Sequence, residues 1–194
     1  MSNRVVLLPT VLCLLLVTCG ACFAMPAVGT KAPDFTLSTS TGGTFKLSTY
    51  STTQPKVVLL DFWASWCGPC KSEIPYLIQI NNDYKNKGVL VVGVTGDSPV
   101  TTGYNWATAN GVNYTVCGDD NFGVTSGPYG IDAIPMTFIV DRTGTIQLAD
   151  RGFGGDGSDM RAKVDQLVPE PSSVMALITG IIGLGGAGLR KRRS

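Results

Sequence analysis

The 194-residue sequence contains no histidine. That absence removes the Ser-His-Asp and Cys-His nucleophile arrangements and the imidazole ligands of common zinc sites. It also removes covalent haem attachment, which needs a histidine directly after Cys-x-x-Cys, where this chain has Lys71. Charge is scarce as well: Asp, Glu, Lys and Arg make up 15% of the chain and the formal net charge is +1, which argues against a nucleic-acid partner. The balance hides a segregation. Arg4, Arg190, Lys191, Arg192 and Arg193 lie at the two ends, and residues 25–171 carry ten basic against fourteen acidic side chains. The middle of the chain is therefore mildly acidic, and its chemistry is left to cysteines, carboxylates and backbone, with no metal and no cofactor expected.

What is present at the ends reads as addressing. Residues 1–24 have the form of a secretory signal peptide: Arg4, the apolar run Val5–Val17 and the small-residue stretch Ala21-Cys22-Phe23-Ala24 before a cut. Cys19 and Cys22 are also candidate lipid acceptors, although neither stands in a good lipobox. At the other end, Val168-Pro169-Glu170-Pro171 precedes an uncharged, glycine-rich stretch, residues 172–189, long enough to span a bilayer as a helix. The basic cluster Arg190–Arg193 would stay cytoplasmic, leaving the domain outside. A plain tail anchor fits this stretch. The order Pro-Glu-Pro, apolar helix, basic end over residues 168–194 also resembles the PEP-CTERM sorting signal of bacterial surface proteins, which implies processing by an exosortase-type membrane protease.

Between these ends, residues 25–167 read as one α/β domain. Gly29–Leu37 and Thr44–Leu47 suggest two strands around the turn Ser40-Thr-Gly-Gly43, an N-terminal β-hairpin. Lys56–Trp63 and Val89–Thr95 are continuous apolar runs, as in strands buried on both faces. A helix is predicted from the cysteine pair to about Asn86, with Pro75 kinking it, and others over Pro99–Asn110 and Asp156–Leu167. Tyr114–Cys117 reads as a short strand, and Thr137–Asp141 and Thr145–Leu148 form a hairpin around Arg142-Thr-Gly144. The predicted order β-β-β-α-β-α-β-β-β-α calls for a mixed sheet flanked by helices.

The chemistry centres on Cys67-Gly68-Pro69-Cys70. Disulfide exchange needs a thiolate that attacks and a second thiol close enough to resolve the mixed disulfide. A Cys-x-x-Cys at the first turn of a helix supplies both. The unpaired amides and dipole of the helix end stabilise the first thiolate, and the second sulfur lies one turn on. Pro69 suits a first turn, where its missing N–H has no partner, and Gly68 leaves the approach open. Cys67 is assigned as nucleophile and Cys70 as resolving thiol. A four-cysteine zinc site would need two further ligands, and outside the leader only Cys117 remains. Cys117 itself reads as a buried strand-end thiol, with a regulatory or intermolecular disulfide as the alternative for an odd cysteine outside the cytosol.

Val57-Val-Leu-Leu-Asp-Phe-Trp-Ala-Ser-Trp-Cys-Gly-Pro-Cys-Lys71 closely resembles the active-site segment of thioredoxin. The wider layout is similar to the exported TlpA/ResA-type thioredoxin-like proteins: Ala32-Pro-Asp-Phe-Thr-Leu37, Glu73 and Pro75 after the cysteines, and Tyr129–Asp141. The resemblance spans about residues 28–167 and implies a thioredoxin fold. It implies that Asp61 is the buried carboxylate that takes the proton of Cys70. Glu73 matches the acid near the cysteines in the ResA-type branch. That branch often lacks the first acid, so which of the two handles the proton is open, and Glu73 as a solvated helix residue is the alternative. Ile134 and Pro135 match the cis-proline loop facing the disulfide, which would leave backbone groups free to pair with a substrate strand. Trp66, Gly68 and Pro69 complete the implied binding surface, while Trp63 reads as core.

The function implied is thiol–disulfide exchange with protein substrates outside the cytoplasm, in the reducing direction, with electrons from a membrane donor protein. Two alternatives belong to other classes. A peroxiredoxin-like thiol peroxidase shares the Ala-Pro-Asp-Phe opening but needs Thr-x-x-Cys, where this chain has Ala64. A non-catalytic surface binding module on a thioredoxin scaffold is the other.

Overall fold

A computed structural model describes residues 24–168. The signal-peptide segment up to residue 23 and the sorting-signal segment from residue 169, including the stretch 172–189, lie outside the described residues. Among the described residues no helix is long and apolar enough to cross a membrane.

The centre of the fold is strand β3 (Val57–Trp63), every residue of which is buried. Only a strand covered on both faces tolerates so continuous an apolar run. Strand β4 (Val89–Thr95) pairs with it in parallel, and β5 (Thr115–Gly118) extends the parallel side. On the other side β6 (Met136–Val140) and β7 (Ile146–Arg151) run antiparallel, giving the order β5-β4-β3-β6-β7. Ahead of the sheet, β1 (Thr36–Ser38) and β2 (Thr44–Lys46) form a separate antiparallel hairpin, followed by the short helix α1 (Thr49–Thr52).

Alternation along β3 sends side chains to two layers. On one face Val57 and Leu59 pack with Leu77 and Ile80 of helix α2 (Gly68–Tyr84) and with Met160 and Val164 of the C-terminal helix α5 (Ser158–Leu167). Nearer the cysteines the same layer joins Trp63 and Ile74 to Ala107 of α3 (Val100–Ala109). On the other face Val58, Leu60 and Phe62 pack with Phe35, Phe45, Tyr129 and Phe138. This second layer has no long helix; the hairpin and the segment that follows β5 close it.

The predicted architecture is present, with differences at particular places. The stretch Gly29–Leu37 is not a strand throughout: only its end enters β1, and Lys31 makes an isolated bridge to Thr145. Gly29 sits at φ 89° and Pro33 lacks an N–H, so neither supports a regular ladder. Helix α2 ends at Tyr84 in a 3-10 turn, Lys85–Lys87, before Gly88 at φ 88°, a left-handed stop. It continues through Pro75. Strand β7 runs three residues further than the pattern indicated, to Arg151. The segment after β5 contains a 3-10 turn (Asp120–Phe122) and a short helix, α4 (Gly123–Ser126), neither of which the sequence pattern showed.

Phe138 is fully buried and meets both Phe62 and Tyr129 ring to ring. Phe138→Ala is expected to lower unfolding stability by roughly 3–5 kcal/mol in urea titration, with the slope of the transition unchanged.

Candidate active site

The site is built where β3 hands over to α2. Cys67 is the N-cap of α2, in extended conformation at φ −81° and ψ 111°, and its sulfur accepts from the Cys70 N–H at 3.2 Å. Pro69 lies in the first helical turn. The two sulfurs are joined as a disulfide with the Cα atoms 5.3 Å apart. Cys67 is 5% and Cys70 1% exposed, so the pair is more sheltered than the bare motif indicated, with Cys67 the outer sulfur. Gly68 has no neighbour where a side chain would stand, and Pro69 is exposed beside it.

The predicted surroundings come together. The Ile134–Pro135 peptide is cis, and the Ile134 carbonyl oxygen lies 3.8 Å from the Cys67 sulfur. Trp66 is 65% exposed next to Cys67, whereas Trp63 is in the core at 1%. A hollow of about 460 Å³ opens beside Trp66, lined by Phe122, Ile131 and Ile134 among others.

Two acidic residues are buried where α2 meets the sheet: Glu73, one helical turn on from Cys70, and Asp61 of β3, registered with the Thr137 that Glu73 bonds. Asp61 is 1% exposed, and neither carboxyl oxygen has a hydrogen-bond partner among the described residues. Burial pushes its pKa well above the ordinary range, and the charge of Glu73 pushes it further. Glu73 is not a solvated helix residue: it is 2% exposed, and its Oε1 accepts from the Thr137 hydroxyl at 2.6 Å. Burial raises its pKa to about 7, the Thr137 hydrogen bond works against that rise, and the charge of Asp150 adds to it. Trp63 Nε1 and the Tyr114 hydroxyl are also buried without hydrogen-bond partners among the described residues, and both carboxyls act on Tyr114, whose proton is held mainly by burial.

Two supporting acids escaped the sequence reading. Asp97, 3% exposed, accepts from the Ser65 N–H at 2.8 Å and the Ser65 hydroxyl at 2.6 Å, and from Thr95 at 2.6 Å. It thereby fixes the loop that delivers Trp66 and Cys67. A Gly-Asp-Ser after a strand is only a turn signal, so nothing in the sequence marked it. Asp119, 2% exposed, accepts from Val124 N–H, Thr125 N–H and the Thr125 hydroxyl and organises α4. In that segment Asn121 and Phe122 both have φ 57°, in the left-handed region. This brings the Phe122 ring edge-on to Trp66, 6.4 Å between centroids, and over Gly96, where any Cβ would collide with it. Cys117 is a buried β5 thiol whose pKa burial pushes up to about 12. Among the described residues no group of three Cys, Asp or Glu is placed to hold a metal ion.

The buried carboxyls make stability depend on pH in a defined direction. Each binds its proton more tightly folded than unfolded, so the stability it supports is complete below its unfolded pKa and is lost as pH rises through the folded value. For Glu73 that window runs from 4.5 to about 7, and Asp61 extends it upward. The oxidised protein is expected to lose on the order of 3 kcal/mol from Glu73 across this window in urea titrations, a part of the slope that Glu73→Gln removes while the part owed to Asp61 remains. An equally steep slope in the variant would contradict the assignment. Asp97→Ala is expected to cost about 1–3 kcal/mol, because it strands the Ser65 donors.

A profile of the AhpC/TSA family matches residues 28–149. Thiol-disulfide oxidoreductase ResA of Geobacillus thermodenitrificans is 33% identical over 121 residues, covering 62% of this chain and 67% of that protein. ResA of Bacillus subtilis is 34% identical over 119 residues, 61% of this chain and 64% of its own. Among solved structures, a Chlorobium tepidum protein described as a DsbE-type thiol:disulfide interchange protein is 35% identical with a TM-score of 0.68, covering 75% of this chain and 99% of that one. With a disulfide at the N-cap of α2, a cis peptide against it and a thioredoxin-like sheet behind, the chain belongs to the AhpC/TSA family and is a thiol–disulfide oxidoreductase of the ResA/DsbE type.

Proposed function

We propose that this oxidoreductase works outside the cytoplasm and reduces disulfides in protein substrates, Cys67 attacking and Cys70 resolving. The observation that carries the reading is a Cys67–Cys70 disulfide at the start of α2 with the cis Ile134–Pro135 peptide against Cys67, in a layer that also buries the Asp61 and Glu73 carboxyls. Reduced Cys67, at the N-cap of α2, meets unpaired amides that favour its thiolate. A substrate strand lies against Ile134 and Pro135, pairing with the freed backbone, while Trp66, Gly68 and Pro69 form the rest of the contact. The Cys67 thiolate breaks the substrate disulfide and forms a mixed disulfide. Asp61, with its raised proton affinity, takes the proton of Cys70, and the Cys70 thiolate then displaces the substrate from Cys67.

The reducing direction has a physical basis in the same acids. A thiolate at the helix end stabilises the dithiol form and favours an oxidant. Two buried carboxyls beneath it penalise further negative charge, favour the disulfide and make the dithiol a better reductant. An extracytoplasmic reductase needs electrons from a membrane donor protein, since cytosolic reductants do not reach it. The leader in residues 1–24 supports export. The Pro-Glu-Pro, apolar and basic succession of residues 168–194 supports transient membrane insertion and removal by an exosortase-type protease.

A thiol peroxidase is the second reading, favoured by the AhpC/TSA match and the Ala-Pro-Asp-Phe opening. Ala64 argues against it: it stands where a peroxidase places a threonine hydroxyl, and it is fully buried.

Trapping tests the exchange reading. Cys70→Ser is expected to accumulate mixed disulfides between Cys67 and envelope proteins, released by dithiothreitol, and Cys67→Ser to accumulate none. Absence of adducts from both variants would replace the enzyme by a binding module. Asp61→Asn is expected to slow resolution of the mixed disulfide by at least roughly 10²-fold near neutral pH.

A further inference from the structure

Asp150 takes no part in the exchange chemistry above, yet the sheet places it in line with the acids that do. Asp61 on β3 is registered with Thr137 on β6, and Thr137 with Asp150 on β7. Cross-strand partners share a face, so these three side chains form one polar row under α2. The neighbouring row on the same face, Leu59–Ile139–Leu148, is wholly apolar. A polar row inside a core is costly unless it serves some purpose. Glu73 descends on it from α2, bonded to Thr137 at 2.6 Å, and the Asp150 charge reaches it. In the other direction the row continues as Gly93 on β4 and Val116 on β5, with no ionisable group.

Burial falls along the row. Asp61 is 1% exposed and Glu73 2%, whereas Asp150 is half-buried and lines an open hollow with the glycine-rich segment between Phe153 and Met160. That segment is held to α2 by Phe153 against Tyr76, 5.2 Å between ring centroids. Among the described residues, Cys67 and Cys70 stand at the start of the same helix as Glu73, and the Tyr114 hydroxyl, from the β5 side, feels its charge. The Tyr114 phenol holds its proton too firmly to carry one away.

We propose that Asp150 is the outer station of a proton path, Asp61–Glu73–Asp150, that crosses the sheet beneath the disulfide and opens in the hollow beside β7. The inference rests on the exchange reading of Cys67 and Cys70. As the mixed disulfide resolves, the Cys70 thiol gives its proton to the Asp61 carboxylate. Its electron pair forms the Cys67–Cys70 bond while the Cys67–substrate bond breaks, and the substrate leaves as a thiolate. The two electrons of the dithiol pass to the substrate, and no further reactant is needed. The proton then moves from Asp61 to Glu73, to Asp150 and to solvent. The oxygens of Asp61 and Oε2 of Glu73 make no direct hydrogen bond to protein among the described residues, which leaves their lone pairs open to a bridging water that would carry this hop. Asp150 acts through Glu73 and is a positioning residue rather than a catalytic one.

The test is single-turnover oxidation of the reduced full-length protein by oxidised glutathione, followed from pH 5 to 9 and resolved into Cys67 attack and Cys67–Cys70 closure. Asp150→Asn is expected to leave attack unchanged and slow closure. Its closure midpoint should fall by about half a unit to one unit, because a like charge near Glu73 is gone. Asp150→Glu restores the wild-type profile, and in a Glu73→Gln background Asp150→Asn has no further effect. A closure profile for Asp150→Asn that overlays the wild type, or an equal change in the Glu73→Gln background, would overturn the path while leaving the exchange reading intact. Failure of the wild-type protein to close its disulfide at all would instead remove the exchange reading and the path with it.

Discussion

A sulfur at the amino end of a helix, with two carboxyls buried in the layer behind it, is the constraint around which the domain is arranged. The helix end favours negative charge at Cys67. The acids beneath, Asp61 and Glu73, resist it. Holding these opposed influences close together demands a rigid frame. The fully buried β3 provides it, carrying Asp61 and leading straight into the loop that carries Cys67. Asp97 pins that loop through Ser65, and the Thr137 hydroxyl holds Glu73, so the two sides of the disulfide are fixed from different strands.

The outer face of the site is made by chain that has little regular structure. Residues 119–134 are ordered by Asp119 and cross the sheet to bring Phe122, Ile131 and Ile134 beside Trp66. The left-handed turn at Asn121 and Phe122 is an unfavourable conformation for a phenylalanine. It is held because the ring has Trp66 on one side and the bare backbone of Gly96 on the other. The exposed tryptophan therefore has a built aromatic neighbour, and the hollow it borders is lined also by Ile134, whose carbonyl lies against the Cys67 sulfur.

The inner half of this design was legible in the sequence because its residues obey strong local rules. The runs Val57–Trp63 and Val89–Thr95 suit only strands covered on both faces, and Cys-Gly-Pro-Cys suits only a helix start. The motif resemblance placed Asp61 and the Ile134–Pro135 cis bond. Glu73 was ambiguous for a physical reason. Its place on a helix does not reveal whether the neighbouring strand offers a hydroxyl, and Thr137 is sixty-four residues away. Asp97 and Asp119 look like ordinary turn acids until the donors they satisfy are seen. The turn at Asn121 and Phe122 left no trace, because no glycine marks the left-handed positions. The alignment of Asp150 with Asp61 is a matter of strand register, which no local pattern encodes.

The balance between helix end and buried acids is read most directly in the reduction potential of the Cys67–Cys70 pair. It would be measured on the full-length protein against defined thiol buffers. The account predicts a two-electron transition near thioredoxin's value, about −270 mV. A potential near about −120 mV, typical of a disulfide-installing oxidant, would show that the helix end outweighs the acids and would contradict the reductase assignment.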